Sequence, residues 1–393
     1  MGKGWLALAF LGTLPFALAA SEPETPAPRE LNLVASDGTT LKATYFAAAK
    51  EGPGVVLMHQ CNQQRKKWDE LELAGKLATA GIHVLTVDYR GFGESGGTRF
   101  LDIPGPQRAE TVREKWPGDM DSAYAYLMSQ KGVTRRVAGA GGASCGVNQA
   151  IQLARRHPEV KSLVLLSGNT DLEGRNFLRK STQVPILLSA ADDDQGAVEL
   201  MEWLYALSPN PGSKFVHYQT GGHGVDMFLP HRELPAMIAE WYVQTLVKTP
   251  GEAPAVETRR TTPEDVKTLN LLDEPGGAAK VMERLNEARR KDPQANLFNE
   301  GLANVIGYEH LQAGDTQGAI EIFKLNVVAY PNSPNVYDSL SDGYVADGQK
   351  DLARENAKKA LALLSRDTTD DEARRKAIQE SAEGKLKQLG GNP

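Results

Sequence analysis

The segment Gly142-Ala143-Ser144-Cys145-Gly146 has the residue types and spacing that most directly indicate chemistry. It follows a stretch that favours a strand and precedes one that favours a helix. In so sharp a turn, side chains two residues before and after the serine would collide, so glycine is needed at both positions. The turn would lift the Ser144 hydroxyl clear of the sheet, and the helix N-terminus would direct N–H groups at a developing negative charge. The segment therefore predicts a nucleophilic serine, and its structural alternative is an ordinary tight turn.

A serine in such a turn must be positioned by a sheet, and the surrounding sequence predicts one. Residues 31–46 are typical of a hairpin that turns at Asp37-Gly38. Further apolar runs of strand length cover residues 55–58, 83–87, 163–166, 185–188 and 215–218. Helical patterns separate them, for example over residues 68–78. This alternation indicates a mostly parallel sheet with helices on both faces, and places functional loops at the carboxyl ends of the strands.

Taken together, residues 30–248 resemble the α/β-hydrolase superfamily, particularly small esterases of the dienelactone-hydrolase type. The resemblance rests on five segments that occur in the family's order. They are Met58-His59-Gln60-Cys61, the segment from Asp88 to Ser95, the turn around Ser144, Asp192-Asp193-Asp194 and Gly221-Gly222-His223-Gly224. The resemblance implies a doubly wound, mostly parallel α/β sheet and a catalytic triad in the chain order Ser, Asp, His.

The resemblance assigns the triad to Ser144 as nucleophile, His223 as general base and an aspartate that orients the imidazole. Counting along the preceding strand places the family's acid at Asp194, and Asp193 is the alternative one residue away. Cys145 is a further alternative nucleophile, although it lies one residue out of register. The segment from residue 96 to residue 117 is predicted to form a wall of the pocket, with Phe100 and Trp116 as candidate contacts.

The resemblance also implies an oxyanion hole made of two backbone N–H groups. One would come from Cys145, and the other from the loop after His59, where Gln60 replaces the family's usual glycine and leaves Gln60 or Cys61 as the donor. The only two cysteines of the chain thus fall beside the predicted hole. Two donors that bind one oxygen lie close together, so we hypothesise a Cys61–Cys145 disulfide. Two free buried thiols are the alternative.

The N-terminal residues have the pattern of an export signal. A lysine is followed by a short apolar run and by Ala17-Leu18-Ala19, which fits a cleavage site. We therefore predict a signal peptide over residues 1–20, a disordered leader over residues 21–29 and a periplasmic or extracellular location, where a disulfide can persist. No membrane span is expected after cleavage. The net charge is −6 and neither half of the chain is basic, so nucleic acid is not an expected partner.

The sequence changes character after residue 248. A linker is predicted over residues 249–262, and no clear strand follows it. Within residues 263–390, similar residues recur at a spacing of 34, for example Gly314 with Gly348 and Ala319 with Ala353. This region resembles tetratricopeptide repeats, which are helix–turn–helix units. The fold class predicted for the whole chain is therefore an α/β-hydrolase domain followed by an all-α helical-repeat domain.

These observations predict an exported serine hydrolase that acts on a small-molecule ester, with helical repeats available for a protein partner. No cofactor or metal is expected, because the sequence has no phosphate loop, dinucleotide fingerprint or zinc-binding His-Glu-x-x-His motif. One alternative is a catalytically degenerate hydrolase that serves as a scaffold for an adaptor domain, which Gln60 in the hole loop favours. The other is a serine peptidase.

Overall fold

The computed structural model describes residues 25–256 and 260–390. The predicted signal peptide over residues 1–20 lies outside the described residues, as does the leader up to residue 24. Residues 25–28 have no regular structure, and the first strand begins at Arg29, the last residue of the predicted leader. Within the described ranges, no helix is both long enough and apolar enough to cross a bilayer.

One sheet of eight strands organises the first part of the chain. The strands are β1 (Arg29–Val34), β2 (Thr40–Phe46), β3 (Gly52–Met58), β4 (His83–Val87), β5 (Val133–Ala143), β6 (Val160–Leu166), β7 (Ile186–Ala191) and β8 (Lys214–Tyr218). Their spatial order is β1-β2-β4-β3-β5-β6-β7-β8. β2 pairs antiparallel with β1 and β4, and all other pairs are parallel. The predicted hairpin and the mostly parallel sheet are confirmed.

Helices cover both faces of this sheet. They are α1 (Lys66–Glu70), α2 (Leu73–Thr79), α3 (Gly105–Glu110), α4 (Trp116–Ser129), α5 (Cys145–Arg156), α6 (Leu172–Lys180), α7 (Ala197–Leu207) and α8 (Leu234–Tyr242), with short 3₁₀ helices at Phe100–Asp102 and Gly224–Phe228 and π-helical turns at Thr111–Lys115 and Val243–Lys248. The single helix predicted over residues 68–78 is wrong, because the chain enters the left-handed region at Glu72 (φ 64°) and separates α1 from α2.

The central strands β3 and β4 are buried along their whole length, as their unbroken apolar sequences predict. An aromatic cluster lies beside the carboxyl end of β4. In it Trp116 is fully buried and stacks on Tyr89, with ring centroids 4.2 Å apart, and Phe100 packs 5.0 Å from the Trp116 ring. The prediction that Trp116 contacts a substrate pocket is therefore wrong, since the indole is part of the core. Phe100 is also mostly buried, but it lines a cleft of about 350 Å³ together with Phe92 and Leu101.

The rest of the described chain is helical. The helices are α9 (Glu264–Leu272), α10 (Gly277–Lys291), α11 (Glu300–Gln312), α12 (Thr316–Ala329), α13 (Pro334–Ala346), α14 (Lys350–Leu364) and α15 (Glu372–Gln388). The starts of α11 and α13, Glu300 and Pro334, are 34 positions apart, and this is also the spacing between the starts of α12 and α14. A Cβ at Gly307 would lie 2.4 Å from the Phe323 ring, so α11 and α12 pack too closely there for a larger residue. The region thus contains two helix–turn–helix units whose helices start 34 positions apart.

A buried ionic contact joins the helical region to the sheet domain. The Arg175 guanidinium of α6 donates to both carboxylate oxygens of Asp273 at 2.7 and 2.9 Å and lies 2.5 Å from Glu309. The same guanidinium lies 4.5 Å above the ring of Trp203, whose indole N–H donates to Asn270 at 2.7 Å. Burial raises the pKa of Asp273, but the Arg175 charge, together with His310 and Arg179, outweighs that effect and holds the pKa well below its usual value. The buried charge of Arg175 in the sheet domain is therefore balanced by carboxylates of the helical region.

We predict that Arg175→Met lowers the free energy of unfolding by about 3–5 kcal/mol, because Asp273 would remain buried without its main cation. Urea unfolding measures this change. Arg155→Met is the matched control, since its ion pair with Glu173 is exposed at 39% and 61% and a pair of that kind is worth about 0–1 kcal/mol. If both variants lost the same small amount of unfolding free energy, the result would contradict a stabilising role for the buried contact.

Candidate active site

Ser144 lies at the point where β5 turns into α5, at the carboxyl edge of the sheet. Its backbone has φ 54° and ψ −119°, a conformation that is strained for a residue with a side chain. A Cβ at Gly142 would lie 2.0 Å from the carbonyl oxygen of Gly146, and a Cβ at Gly146 would lie 2.4 Å from that of Met58. Glycine is thus required on both sides of the serine, for the steric reason inferred from the sequence. α5 begins directly after the serine, at Cys145.

His223 and Asp194 form a hydrogen-bonded pair at the same edge. His223 follows β8 and Asp194 follows β7, and the two atoms His223 Nδ1 and Asp194 Oδ2 are 2.8 Å apart. Because an ionised carboxylate only accepts hydrogen bonds, Nδ1 carries the proton and Nε2 keeps its lone pair. The Asp194 side chain is 15% exposed and that of His223 is 37% exposed, so solvent and small molecules can reach the ring.

The three consecutive aspartates after β7 have three different partners. Asp192 accepts a hydrogen bond from His217 Nε2 at 2.7 Å. Asp193 accepts the backbone N–H groups of Gly221 and Gly222 at 3.0 Å, and these hydrogen bonds lower its pKa. The structure thus places Asp194, rather than Asp193, against the imidazole. Asp193 instead holds the backbone immediately before His223.

The loop that carries His223 packs against the turn that carries Ser144. A Cβ at Gly224 would lie 3.2 Å from the Cβ of Ala143, so the residues next to His223 and Ser144 are in close contact. Gly224 has φ +60°, a conformation that favours glycine. The nucleophile, base and acid predicted from the sequence therefore lie on three loops that meet at one edge of the sheet.

The turn after β3 lies against the start of α5. His59 is 1% exposed; its Nδ1–H donates to the Gln60 carbonyl at 2.8 Å, and its Nε2 accepts the Tyr89 N–H at 3.3 Å. Burial lowers the pKa of His59, which keeps the ring neutral and suits it to holding the turn. The candidate oxyanion donors, the N–H groups of Gln60 and Cys61 on this turn and of Cys145 on α5, lie on two segments in direct contact.

A disulfide joins these two segments. The structure places Cys61 and Cys145 in a bridge with their Cα atoms 5.8 Å apart and 84 positions apart in sequence. A sulfur held in a disulfide is not a nucleophile, so the alternative of a Cys145 nucleophile does not fit this arrangement. The bridge fixes the residue after Ser144 to the loop that carries the other candidate N–H donors.

Sequence reasoning missed the polar contacts that support the start of α5. Asn148, one helical turn beyond Ser144, accepts the Thr170 hydroxyl at 2.7 Å. The Thr170 carbonyl in turn accepts a hydrogen bond from Arg175 at 2.7 Å, so the contact with the helical region extends to the helix behind the serine. The sequence offered no signal for Thr170. Among the residues that the structure describes, no group of three or more His, Cys, Asp or Glu side chains is arranged to hold a metal ion.

Part of the sheet domain matches a known protein family. Residues 52–193 match the model of the family described as serine aminopeptidase, S33. A segment of 91 residues is 44% identical to human Protein ABHD12B; it covers 23% of this chain and 22% of that protein. The match therefore spans about a fifth of the curated relative's length.

Solved structures of low sequence identity resemble part of this chain. The esterase Pf2001 of Pyrococcus furiosus is 18% identical, with 55% of this chain and 90% of that chain covered and a TM-score of 0.45. A predicted CIB-like hydrolase of Thermoplasma acidophilum is also 18% identical, with 55% and 98% covered and a TM-score of 0.43. For Est1E of Butyrivibrio proteoclasticus, solved with ferulic acid bound, the identity is 17%, the covered shares are 54% and 99%, and the TM-score is 0.43.

The disulfide yields a direct prediction. Unreduced, denatured protein should show no titratable thiol, and reduced protein should show both. Because the bridge joins residues 84 positions apart, its reduction should lower the free energy of unfolding by about 4–5 kcal/mol on the chain-entropy model. The control is the Cys61→Ala/Cys145→Ala double variant, whose stability reductant should not change. Two titratable thiols in the unreduced, denatured protein would contradict the Cys61–Cys145 disulfide.

Proposed function

We propose that the sheet domain belongs to the α/β-hydrolase superfamily and is a serine hydrolase that cleaves carboxylic esters through an acyl-enzyme on Ser144. One observation carries the proposal more than any other. His223 donates to Asp194 at 2.8 Å on a loop that packs against the residue before Ser144. This arrangement keeps the Nε2 lone pair available to accept a proton, on a loop that contacts the segment of a strained, partly exposed serine.

In the proposed first step, the Ser144 hydroxyl oxygen attacks the ester carbonyl carbon while its proton passes to His223 Nε2. The imidazolium that forms is stabilised by Asp194. The carbonyl oxygen becomes an oxyanion that accepts hydrogen bonds from the Cys145 N–H and from an N–H of the turn after β3, that of Cys61 or Gln60. The positive end of the α5 dipole favours the same negative charge.

Collapse of this intermediate breaks the bond to the alcohol oxygen, and His223 returns its proton to the departing alcohol. The acyl group is then an ester of Ser144. In the second step, His223 accepts a proton from water, the hydroxide adds to the acyl carbon, and the serine leaves with that proton. The products are the carboxylic acid and the free enzyme, and no cofactor takes part.

The proposal also covers the helical region and the location of the protein. The two units between Glu300 and Leu364, with their spacing of 34 positions, fit tetratricopeptide repeats, which would offer a surface to a protein partner and brace the sheet domain through Arg175. Export to a periplasmic or extracellular compartment is supported by the Cys61–Cys145 bridge, since disulfides persist in oxidising compartments.

Within the superfamily, we assign the domain to the small esterases of the dienelactone-hydrolase type.

A serine peptidase is the second candidate, and one observation favours it. The matching family model is described as a serine aminopeptidase. Peptide and ester hydrolysis use the same triad and oxyanion hole, so the two candidates differ only in the substrate group bound beside the serine. Parallel assays with p-nitrophenyl esters and aminoacyl p-nitroanilides distinguish them by kcat/KM.

We predict that a fluorophosphonate probe labels the protein and that Ser144→Ala abolishes the labelling, because the probe phosphonylates an activated serine. Mass spectrometry of the labelled peptide identifies the residue. Ser167→Ala is the matched control, since this serine also follows a central strand and has a positive φ of 48°. Absence of labelling in folded protein would favour the scaffold alternative.

A second prediction tests whether Asp194 or Asp193 is the triad acid. Asp194→Asn should lower kcat for an ester by a factor on the order of 10⁴, as loss of the orienting carboxylate does in Ser-His-Asp triads. Asp193→Asn should have a much smaller effect, because its amide oxygen still accepts the N–H groups of Gly221 and Gly222. Equal losses in the two variants would argue against Asp194 as the triad acid.

A further inference from the structure

We propose that the side chain of Gln60 is a positioning residue that sets the location of His223. The inference rests on the proposed function, in which His223 is the base, and it assigns the Gln60 side chain a role separate from any contribution of its backbone N–H to the oxyanion hole. It also gives a physical reason for glutamine at a position where the sequence suggested a defective hole.

The amide of Gln60 contacts the loop after His223 through both of its ends. Its Oε1 accepts the Val225 N–H at 2.9 Å, and its Nε2 donates to the Asp226 carboxylate at 3.3 Å. Gln60 has no exposed surface, so these bonds form away from solvent. A buried amide whose oxygen and nitrogen are both paired fixes the orientation of the segment it contacts. The segment here is the 3₁₀ helix Gly224–Phe228, which starts at the residue after His223.

The loop has little freedom to move away from Gln60. A Cβ at Gly224 would lie 2.2 Å from Gln60 Oε1, so the backbone of residue 224 lies directly on the amide oxygen. On the other side of His223, the Asp193 carboxylate accepts the N–H groups of Gly221 and Gly222. The imidazole is therefore carried by a short segment that is hydrogen-bonded at both ends.

Gln60 is itself fixed relative to Ser144. Its carbonyl accepts the His59 Nδ1–H at 2.8 Å, and the next residue, Cys61, is bridged to Cys145, the residue after the serine. A displacement of the Gln60 side chain would therefore change the distance between base and nucleophile. Errors of about 1 Å in such a distance cost on the order of 100-fold in rate.

Exchange of charge within the Gln60–Asp226 pair tests the inference. In Gln60→Glu, one carboxylate oxygen can still accept the Val225 N–H, but the other faces the Asp226 carboxylate and repels it. In the double variant Gln60→Glu/Asp226→Asn, the new amide can donate to the new carboxylate, so the pair keeps its total charge with donor and acceptor reversed. Asp226→Asn alone keeps a neutral hydrogen bond with Gln60.

For an ester substrate, Gln60→Glu should lower kcat by about 10- to 100-fold with KM nearly unchanged, because the loop orients the base and does not bind the substrate. The added negative charge should also move the acidic limb of the kcat/KM profile to higher pH, since it favours protonated His223. The double variant should recover most of the activity and the original pH profile, and Asp226→Asn should lose less than Gln60→Glu. Gln64→Glu, at an exposed position of the same loop, is the control for added charge.

The His223 Nδ1 proton supplies a readout that does not need turnover, because its hydrogen bond to Asp194 shifts its NMR resonance to low field. This resonance should move or broaden in Gln60→Glu and return in the double variant. Unchanged kinetics and an unchanged resonance in Gln60→Glu would overturn the inference, as would a double variant no better than Gln60→Glu. If the unaltered protein hydrolyses no ester and resists the fluorophosphonate, the proposed function fails, and the resonance alone still decides whether Gln60 positions the imidazole.

Discussion

Three consecutive side chains on the turn after β3 hold the candidate active site together. His59 accepts a backbone N–H from the loop after β4, Gln60 holds the loop of His223, and Cys61 is bridged to Cys145. Ser144 and His223 come from positions far apart in sequence, and each lies on a segment bound to this one turn. The relative placement of Ser144 and His223 therefore depends on a tripeptide that supplies neither group. The close approach of these segments accounts for Gly142 and Gly146, two positions from Ser144, and for Gly224, next to His223, where a Cβ would overlap its neighbours.

Identical side chains serve different purposes here because the ends of neighbouring strands give them different surroundings. Asp192, Asp193 and Asp194 are adjacent in sequence, yet their partners are a surface histidine, two backbone N–H groups and the candidate base. The chain turns sharply after β7, so successive side chains point in different directions. The arrangement also keeps three negative charges apart, since each is balanced by its own donor.

The sequence predicted the sheet well because buried parallel strands need unbroken apolar runs, and those runs are local signals. The candidate triad residues could be proposed because strand order brings their loops to one edge. The role of the Gln60 side chain could not be foreseen, because it depends on how closely the loop 165 positions later approaches it. Trp116 was expected to contact a pocket, and only the packing of Tyr89 against it reveals a core residue. Arg175 gave no signal either, since its partners Asp273 and Glu309 lie in another region of the chain.

The burial of Arg175 also limits which helical region could follow the sheet domain. A chain that ended at residue 256 would lack Asp273 and Glu309, the partners of Arg175, and Asn270, the partner of Trp203. A different helical half would keep these contacts only if it supplied matching carboxylates and an amide. The helical half, whatever else it contacts, therefore completes the buried surroundings of residues in the domain that precedes it.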